Sequence, residues 1–546
     1  MNGRKDISVV IRALKKTVAF QDDLVKKLAG TALIIRAIEK AQLLGVSNNN
    51  TYVLTDSEEI ELMAKRKGVQ TFRDPTMEQS GSGIAVGLKY LQEAVCNCEV
   101  LIVLSPYAPL LAVETLRDAC DFLLESDMDA LQPIARIEKV SNLGGGKTTA
   151  RWLFEARKRN HFEVLSGAFF LLRFSALKYR LDEKIDVVSW LSDDDLFEIE
   201  SYQNWWVAEK LLRRKRIVFR VIGNESVGMG HIYRALSLAH DITDHELLFV
   251  CESEHREAVD KLAGYDYWFE SYDRNTILDK IIELKPDLVI NDILSTKKSD
   301  VELLKRNGIR VVNFEDLGSG AGYADLTVNE LYETPQIKGD RILWGHCYFF
   351  VRDEFQDARP ARFQSNVKNL LLTFGGTDQW NLSTVIYRSI REFCLQQNVE
   401  IYIVTGLGYR GYAKLADEIK EEKNVHLTHN TGVISGIMEK VQVAITSNGR
   451  TVYELAHMNI PAIVISHHER EQTHSFACEK NGFIQVGIYK NGYTENIVET
   501  ELKKLMLNQS YRQEMFKRIE PHKFDQNKSF VLGSIEKILN DSVTTA

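Results

Sequence analysis

The sequence predicts an α/β fold of mostly parallel, doubly wound sheets. Short apolar runs such as Val100–Leu104 and Val443–Thr446 alternate with helical patterns from one end of the chain to the other. This alternation is typical of βαβ units, whose parallel strands bind ligands at their carboxyl ends. At 546 residues the chain is too long for a single hydrophobic core, so we expect several such sheets.

The alternation of strands and helices divides the chain into three predicted units, which are residues 1–215, 216–358 and 359–546. The first unit ends with an amphipathic helix over Tyr202–Arg214, after which a new apolar strand begins at Ile217. The second boundary falls near residues 352–365, where polar residues and Pro360 interrupt the pattern. This interruption predicts a hinge between two lobes.

Composition and charge narrow the range of partners and compartments. The chain carries 68 basic and 76 acidic residues, and this net charge of -8 gives no general electrostatic basis for nucleic acid binding. Seven scattered cysteines argue against a disulfide framework. No apolar run reaches the roughly 18 residues of a membrane span, and the first residues lack the apolar stretch of a signal peptide. We therefore expect a cytoplasmic protein without membrane or nucleic acid partners; its oligomeric state stays open, a homo-oligomer included.

A glycine turn followed by a histidine is the first candidate site. Apolar Ile217–Phe219 predicts a short buried strand, and the apolar spacing from Ala235 onward predicts a helix. Gly228 and Gly230 then lie in the turn between strand and helix, with His231 at the start of the helix. Free helical N–H groups there favour an anion such as a diphosphate, and the same field favours a neutral imidazole suited to general-base chemistry. The alternative is a tight turn in which His231 only caps or packs.

The last third of the chain repeats this strand–turn–helix pattern twice. Leu370–Phe374 runs into the turn Gly375-Gly376-Thr377-Asp378, and Val443–Thr446 runs into a turn that contains Gly449-Arg450-Thr451. Glu454 lies in the helix after the second turn, where the alternative to a binding role is an exposed or capping residue. Two such lobes facing each other leave a cleft suited to a phosphorylated ligand.

Taken together, these motifs resemble those of the GT-B nucleotide-sugar enzymes, and among them the hydrolases of pseudaminic acid biosynthesis that remove UDP from a diacetamido sugar. The resemblance covers about residues 217–500 and rests on the three glycine turns, on the residues that follow them and on their order. It implies a two-lobed GT-B fold, a UDP-amino sugar as substrate and His231 as the residue that serves the hydrolytic water. The residues that it assigns to the nucleotide are Gly228, Gly230, Gly375, Gly376, Thr377, Asp378, Gly449, Thr451, Glu454 and Gln472.

The chain departs from that family at two points. Ile222 stands where the family usually has an acidic residue after the first strand, and Glu315-Asp316 stands where it has paired aspartates. A glycosyltransferase is the alternative, because the same fold and nucleotide site serve sugar transfer and only the acceptor differs.

Residues 5 to about 215 resemble the cytidylyltransferases that activate sialic and related nonulosonic acids as CMP-sugars. The resemblance rests on short motifs, among them Phe72-Arg73-Asp74-Pro75 and Ser166-Gly167-Ala168-Phe169. It implies a Rossmann-like nucleotidyltransferase fold that takes CTP and a sugar acid, with Arg12 and Lys16 at the triphosphate.

Two features leave the activity of this first unit open. Where the family has paired glycines between the arginine and the lysine, the stretch from Arg12 to Lys16 has none. A β-carbon at these positions keeps backbone N–H groups from closing on phosphate oxygens. Glu198 and Glu200 replace the two aspartates that bind Mg²⁺ in the family, which implies a metal site there; the alternative is a pair of solvated carboxylates.

Our main hypothesis is a bifunctional enzyme of nonulosonic acid biosynthesis. The first unit would join a sugar acid to CMP from CTP, and the following two lobes would hydrolyse a nucleotide-linked amino sugar. One alternative keeps the hydrolase and makes the first unit a noncatalytic module that scaffolds or regulates. The other alternative makes the two lobes a glycosyltransferase.

Overall fold

The computed structural model describes residues 7–15, 22–73, 98–140, 159–179, 185–192, 196–224, 228–265 and 267–540. These residues confirm the predicted α/β fold. The chain divides into two compact units, Met1–Arg214 and Lys215–Ala546. In the described ranges, no helix combines the length and the apolar character needed to cross a membrane.

The first unit is built on one mixed sheet. Its strands are β1 (Ile7–Arg12), β2 (Lys27–Leu28), β3 (Thr31–Ala32), β4 (Thr51–Thr55), β5 (Gln70–Arg73), β6 (Val100–Leu104), β7 (Ala130–Val140), β8 (Arg159–Leu165), β9 (Phe169–Arg173) and β10 (Val187–Leu191). Its helices are α1 (Leu33–Leu43), α2 (Glu58–Arg66), α3 (Val113–Glu125), α4 (Phe174–Tyr179) and α5 (Tyr202–Arg213). The strand order is β10-β7-β9-β6-β1-β4-β5, with β8 paired to β7, while β2 and β3 form a separate hairpin. Strand β9 runs antiparallel to β6 and β7, so the sheet is not purely parallel.

Local sequence explains these elements. Strands β1 and β6 bury nearly all of their residues, as strands covered by helices on both faces must. Ser57 caps α2 by accepting the N–H of Ile60 at 3.5 Å. Ser201 caps α5 in the same way, with the N–H of Asn204 at 3.2 Å. These caps fix where both helices begin.

The second unit contains two separate parallel sheets, each the basis of one lobe. The first lobe has β11 (Arg216–Val221), β12 (Glu246–Glu252), β13 (Trp268–Tyr272), β14 (Leu288–Asp292), β15 (Arg310–Phe314), β16 (Leu326–Asn329) and β17 (Ile342–Trp344). Its helices are α6 (Gly230–Asp241), α7 (Arg256–Leu262), α8 (Ile277–Glu283) and α9 (Lys298–Arg306). The strand order is β13-β12-β11-β14-β15-β16-β17. This order reverses at β11, because β12 and β13 lie on one side of it and β14 to β17 lie on the other. Such a reversal opens a crevice at the carboxyl ends of β11 and β14.

The second lobe repeats this order. Its strands are β18 (Asn369–Thr373), β19 (Glu400–Thr405), β20 (Val425–His429), β21 (Val443–Ser447), β22 (Ala462–Ser466) and β23 (Phe483–Ile488). The helices are α10 (Leu382–Gln396), α11 (Tyr412–Glu418), α12 (Ser435–Met438), α13 (Thr451–His457), α14 (Glu469–Gln472), α15 (Thr494–Leu507), α16 (Gln509–Ile519) and α17 (Asn527–Asn540). The order β20-β19-β18-β21-β22-β23 places its reversal between β18 and β21.

The last helix does not stay with the lobe that precedes it. Val531, Ile535 and Leu539 of α17 pack into the core of the first lobe. Arg310, at the start of β15, donates from Nη1 to the carbonyl of Leu539 at 2.6 Å. The predicted boundary put residues 359–546 together in the second lobe, because nothing local in the sequence marks the return of the chain.

Candidate active site

A cavity of about 540 Å³ lies between the two lobes of the second unit. It is lined by the turn after β11 in the first lobe and by the turns after β18 and β21 in the second. These strands flank the reversal of strand order in each sheet, where α/β folds bind their ligands. The two lobes therefore present their binding edges to one shared space.

Glycines let the two lobes approach each other backbone to backbone. Gly228 and Gly375 have φ angles of 81° and 76°, a conformation that side chains with a β-carbon disfavour. A β-carbon on Gly376 would lie 3.6 Å from the Cα of Gly228 and 3.6 Å from the backbone nitrogen of Met229. The turns of opposite lobes thus meet at the cavity, where the N–H of Gly228 is donated to the carbonyl of Asn224 at 2.8 Å.

His231 lies at the cavity in the first turn of α6 and is paired with Asp292. Its Nδ1 is 2.5 Å from Oδ1 of Asp292, the last residue of β14. Burial opposes ionisation of Asp292, but the charges of Arg234 and His231 hold the pKa of this carboxyl well below its ordinary value. An ionised carboxylate accepts hydrogen bonds, so Nδ1 carries a proton, and in the neutral form of the ring the lone pair is then on Nε2. This arrangement equips His231 to accept a proton through Nε2.

Arg234, one turn further along α6, holds three carboxylates in a buried cluster. Its Nε donates to Oδ2 of Asp292 at 2.7 Å, and its Nη2 donates to the other oxygen of the same carboxylate. Nη1 donates to Glu315 at 3.2 Å and also to Glu330. Nη2 also lies 3.2 Å from Nδ1 of His231, but both groups carry protons there, so this contact is proximity rather than a hydrogen bond. Burial raises the pKa of Glu315, yet the charges of His231 and Arg234 outweigh it and lower that pKa to about 2.

The second lobe contributes two further arginines to this cluster. Arg450, in the turn before α13, donates from Nη1 to Oε1 of Glu330 at 2.6 Å. Arg470 of α14 donates from Nη2 to the backbone carbonyl of Glu315 at 2.9 Å and from Nε to the hydroxyl of Tyr332 at 2.9 Å. The carboxylates at the ends of the first lobe's strands are therefore neutralised from both sides of the cleft.

Glu454 and Glu471 are the acidic residues that the second lobe contributes to the cavity wall. Glu454 of α13 accepts a hydrogen bond from Nε of Arg352 at 2.8 Å. Glu471 of α14 accepts the backbone N–H of His467 at 2.7 Å. Burial, opposed by that hydrogen bond and reinforced by the charge of Glu315, raises the pKa of Glu471 to about 7. Glu471 is thus a carboxyl group that titrates near neutral pH inside the cavity.

Most of the residues proposed from the sequence for this site do line the cavity, and two do not. Asp378 is buried and accepts the N–H groups of Leu382 at 2.6 Å and Ser383 at 2.7 Å, so its carboxylate caps α10 instead. Gln472 ends the short helix α14 with its side chain exposed. The proposed residues that line the cavity are Gly228, Gly230, His231, Gly375, Gly376, Thr377, Gly449, Thr451 and Glu454.

The supporting carboxylates and Arg450 were not identified from the sequence. Asp292 ends β14, while Glu315 and Glu330 directly follow β15 and β16, and the carboxyl ends of parallel strands meet at one edge. An acidic residue within two positions of the end of each of three apolar stretches was therefore an available signal. Nothing in the local sequence marks Arg450, because its partner Glu330 is 120 residues away in the other lobe.

Of the two residues expected at a triphosphate, Arg12 and Lys16, the structure describes Arg12; Lys15, which lies between them, has partners within the chain. Nζ of Lys15 lies 3.2 Å from Asp22 and 3.2 Å from Glu59. Its backbone N–H donates to Oδ1 of Asp56 at 2.7 Å. Arg12 ends β1, where it pairs in register with Leu54. Lys16 lies outside the described residues.

The predicted Mg²⁺ ligands of the first unit are also partly engaged. Oε1 of Glu198 accepts the hydroxyl of Ser166 at 2.9 Å and the N–H of Gly167 at 2.7 Å, while Glu200 is exposed. Among the residues that the structure describes, no three His, Cys, Asp or Glu side chains form a group suited to a metal ion. One oxygen of Glu198 and the carboxylate of Glu200 fit a hard cation only in part, and this metal site stays a prediction.

Comparison with known proteins relates about half of the chain to three curated sequences. No protein-family model matches. An uncharacterised protein of Methanocaldococcus jannaschii is 24% identical over 302 residues, which are 51% of this chain and 62% of that protein. The chain thus spans less than two thirds of this relative's length. A spore coat polysaccharide biosynthesis protein of Bacillus subtilis is 24% identical over 265 residues, 46% of this chain and 76% of that protein.

The third sequence is the UDP-2,4-diacetamido-2,4,6-trideoxy-beta-L-altropyranose hydrolase of Campylobacter jejuni. It is 26% identical over 248 residues, 44% of this chain and 87% of the hydrolase. Among solved structures, MurG of Acinetobacter baumannii aligns with a TM-score of 0.44 at 12% identity, over 59% of this chain and 99% of its own. A CMP:2-keto-3-deoxy-manno-octonic acid synthetase complexed with CTP aligns with a TM-score of 0.29 at 13% identity, over 38% of this chain and 98% of its own. Over about half of its length, the chain is therefore similar in sequence to a polysaccharide biosynthesis protein and to a nucleotide-sugar hydrolase.

Proposed function

We propose that the second unit hydrolyses a nucleotide-linked sugar to the free sugar and the nucleoside diphosphate. The observation that carries this proposal is the His231–Asp292 pair at a cavity that is also lined by three glycine turns. Similarity to the Campylobacter hydrolase supports a UDP-linked, acetamido-substituted sugar as the substrate class. Such a reaction needs a base for water and hydrogen-bond donors for a diphosphate, and the cavity has candidate residues for both.

The reaction begins with a water molecule between Nε2 of His231 and the anomeric carbon. His231 takes a proton from the water as its oxygen bonds to that carbon from the side opposite the diphosphate. The bond from the anomeric carbon to the diphosphate oxygen breaks, and its electron pair leaves with the nucleoside diphosphate. Asp292, held by Arg234, stabilises the imidazolium that forms. The sugar is released with inverted configuration, and His231 then returns its proton to solvent.

The nucleotide is held by the second lobe. The turn over Gly375, Gly376 and Thr377 lines the cavity, and its backbone N–H groups would bind the diphosphate. The carboxylate of Glu454 can accept hydrogen bonds from both ribose hydroxyls, and Arg352 orients it. In this arrangement the diphosphate lies next to backbone N–H groups, which stabilise the negative charge that it gains as it leaves.

One experiment distinguishes three cases, which are hydrolysis, sugar transfer and no activity. The full chain is incubated with UDP-linked acetamido sugars in water enriched in ¹⁸O, with and without candidate sugar acceptors, and the products are analysed by mass spectrometry. Hydrolysis by the proposed route gives ¹⁸O in the sugar and none in UDP, and it needs no acceptor. Release of UDP only when an acceptor is present would instead establish a glycosyltransferase, and ¹⁸O in UDP would exclude attack at the anomeric carbon.

For the first unit we propose activation of a sugar acid with CTP, as its motifs imply. Arg12 and Lys16 would contact the triphosphate, and Glu198 and Glu200 would hold Mg²⁺, which supplies charge neutralisation when bound. The competing proposal is a noncatalytic module, and the absence of glycines between Arg12 and Lys16 favours it, because a β-carbon at these positions keeps backbone N–H groups from closing on phosphate oxygens.

Pyrophosphate release decides between these two proposals. The full chain is incubated with CTP, Mg²⁺ and a panel of nonulosonic acids, with the second unit's substrate absent. Release that depends on the sugar acid would establish a cytidylyltransferase. Silence across the panel, in a preparation whose circular dichroism shows folded protein, would favour the noncatalytic module.

A further inference from the structure

The buried carboxylate of Glu330 accepts hydrogen bonds from both lobes of the second unit. Glu330 follows β16 in the first lobe and is fully buried. Its Oε1 accepts hydrogen bonds from Nη1 of Arg234 in its own lobe and from Nη1 of Arg450 in the other. Its Oε2 has no partner among the described residues. The charge of Glu330 is therefore balanced through these two guanidinium groups.

Arg450 is held in a defined path between the lobes. It directly precedes α13, in the turn that also carries Gly449 and Thr451. Its stem passes over Gly230, where an added β-carbon would lie 3.3 Å from Cδ of Arg450. Its guanidinium lies 4.5 Å from the ring centre of Phe349, and Nη2 lies 3.3 Å from the carbonyl oxygen of Phe350. The glycine after the first turn thus leaves room for an arginine that comes from the opposite lobe.

These contacts form one continuous series from the second lobe's turn to the histidine. Arg450 bonds Glu330, Glu330 bonds Arg234, Arg234 bonds both oxygens of Asp292, and Asp292 bonds His231. Without Arg450, Arg234 would be the hydrogen-bond donor that remains to Glu330 among the described residues, while it also holds Asp292 and Glu315. A buried carboxylate that loses a hydrogen-bond donor interacts more strongly with the nearest remaining cation. Here that cation is Arg234, which also orients Asp292.

We propose that Arg450 is a positioning residue that keeps His231 in its base-competent tautomer by satisfying Glu330 from across the cleft. This inference rests on the proposed hydrolysis for its kinetic consequence, but its structural consequence does not depend on turnover. Arg450 acts through Glu330 and Arg234 and needs no contact with the reacting atoms. The turn that receives the nucleotide and the histidine that serves the water are thereby parts of one hydrogen-bonded assembly.

The test compares Arg450→Met and Arg450→Lys with the unaltered full chain. The control is Arg388→Met, because Arg388 forms an Arg–Glu pair with Glu418 on the surface of the same lobe, with Nη2 2.6 Å from Oε2. For each protein we would measure kcat and KM for the UDP-sugar donor and the Kd of UDP by calorimetry. The imidazole tautomers would be measured by NMR of protein labelled with ¹⁵N-histidine. A His231→Gln variant would identify the signal of His231.

We expect Arg450→Met to lower kcat about tenfold, to change the Kd of UDP less than about twofold, and to remove the proton from Nδ1 of His231 in part of the molecules. Arg450→Lys restores a cation and should recover part of kcat and of the tautomer, and Arg388→Met should match the unaltered chain. An unchanged tautomer in Arg450→Met overturns the proposal, as does a loss of activity explained entirely by weaker UDP binding. If the unaltered chain cleaves no donor, the proposed function fails, while the NMR comparison still decides the role of Arg450.

Discussion

Nδ1 of His231 lies 2.5 Å from Oδ1 of Asp292, although the two residues are 61 positions apart in the chain. His231 follows β11, and Asp292 ends β14, the strand that pairs with β11. In that register Asp292 is the direct partner of Val221, the last residue of β11. The reversal of strand order in the sheet therefore creates the pair, and it leaves the other imidazole nitrogen free of the carboxylate.

His231→Ala is expected to lower the rate of UDP release about 100- to 10,000-fold, the usual contribution of a positioned general base. UDP affinity should change little, because the second lobe holds the nucleotide. The measurement is chromatographic quantification of UDP alongside calorimetric binding. His426→Ala is the matched control, since His426 also pairs with a carboxylate, Glu400 at 2.6 Å, on the surface. Turnover that survives in His231→Ala removes this residue from the mechanism.

Asp292→Asn keeps the shape of the carboxylate but reverses its hydrogen bonding to the imidazole. The amide nitrogen donates to Nδ1, so the ring proton moves to Nε2 and the lone pair needed for water is lost. We expect kcat to fall at least about 100-fold with UDP binding retained. Asp353→Asn serves as the control, because Asp353 pairs with His240 at 2.6 Å outside the cavity. Equal losses in both variants would indicate a general effect on folding.

Glu454→Ala is expected to weaken UDP binding about 10- to 100-fold, the range for hydrogen bonds to a charged group. The variant loses the ribose acceptor and leaves Arg352 without the partner it has at 2.8 Å. The Kd of UDP from calorimetry checks this expectation. Glu418→Ala removes a carboxylate from a surface pair with Arg388 in the same lobe and should bind UDP normally. A Glu454→Ala protein with unaltered affinity would return this residue to a purely structural role.

The stability of the protein should depend on pH through Glu471, whose pKa burial raises to about 7 from an ordinary value of 4.5. Because the folded state holds this proton more tightly than the unfolded state, the stabilisation is full below about pH 4.5 and is lost as the pH rises through about 7. Glu471→Gln cannot ionise and should escape that loss. We expect its advantage in unfolding free energy to grow to about 2–4 kcal/mol above pH 7.

Urea unfolding of both proteins from pH 5 to pH 9 measures this difference directly. Glu469→Gln is the control, because Glu469 lies on the same short helix with its side chain exposed. A constant difference between Glu471→Gln and the unaltered chain over this range would show that Glu471 ionises at its ordinary pH.

Local patterns in the sequence were enough for the fold class and for the glycine turns. A buried strand, a glycine turn and a helix are contiguous, so Gly228, Gly375 and Gly449 could be assigned without knowing which strands pair. The same local view misjudged Asp378, because a carboxylate before a helix serves equally well as a cap for the N–H groups of Leu382 and Ser383.

The support of His231 could not be predicted in this way, since it depends on contacts between distant segments. Asp292 reaches the histidine only because β14 lies next to β11, and Arg450 reaches Glu330 only because the lobes face each other. Strand order and the relation of two lobes are set by the packing of whole layers rather than by any short motif. No short stretch of the sequence therefore predicts that Asp292 or Arg450 supports His231.

Because α17 returns to the first lobe, the second lobe is inserted within the chain of the first lobe. The chain therefore crosses between the two lobes twice rather than once. The crossings run side by side: Nδ2 of Asn527 donates to the carbonyl of Phe349 at 2.7 Å, and the rings of Phe349 and Phe524 lie 5.4 Å apart. Two adjacent crossings resist twisting of one lobe against the other but permit bending about a common axis. If the lobes separate to admit a molecule, we expect them to bend about the place where both crossings lie, near Phe349 and Asn527.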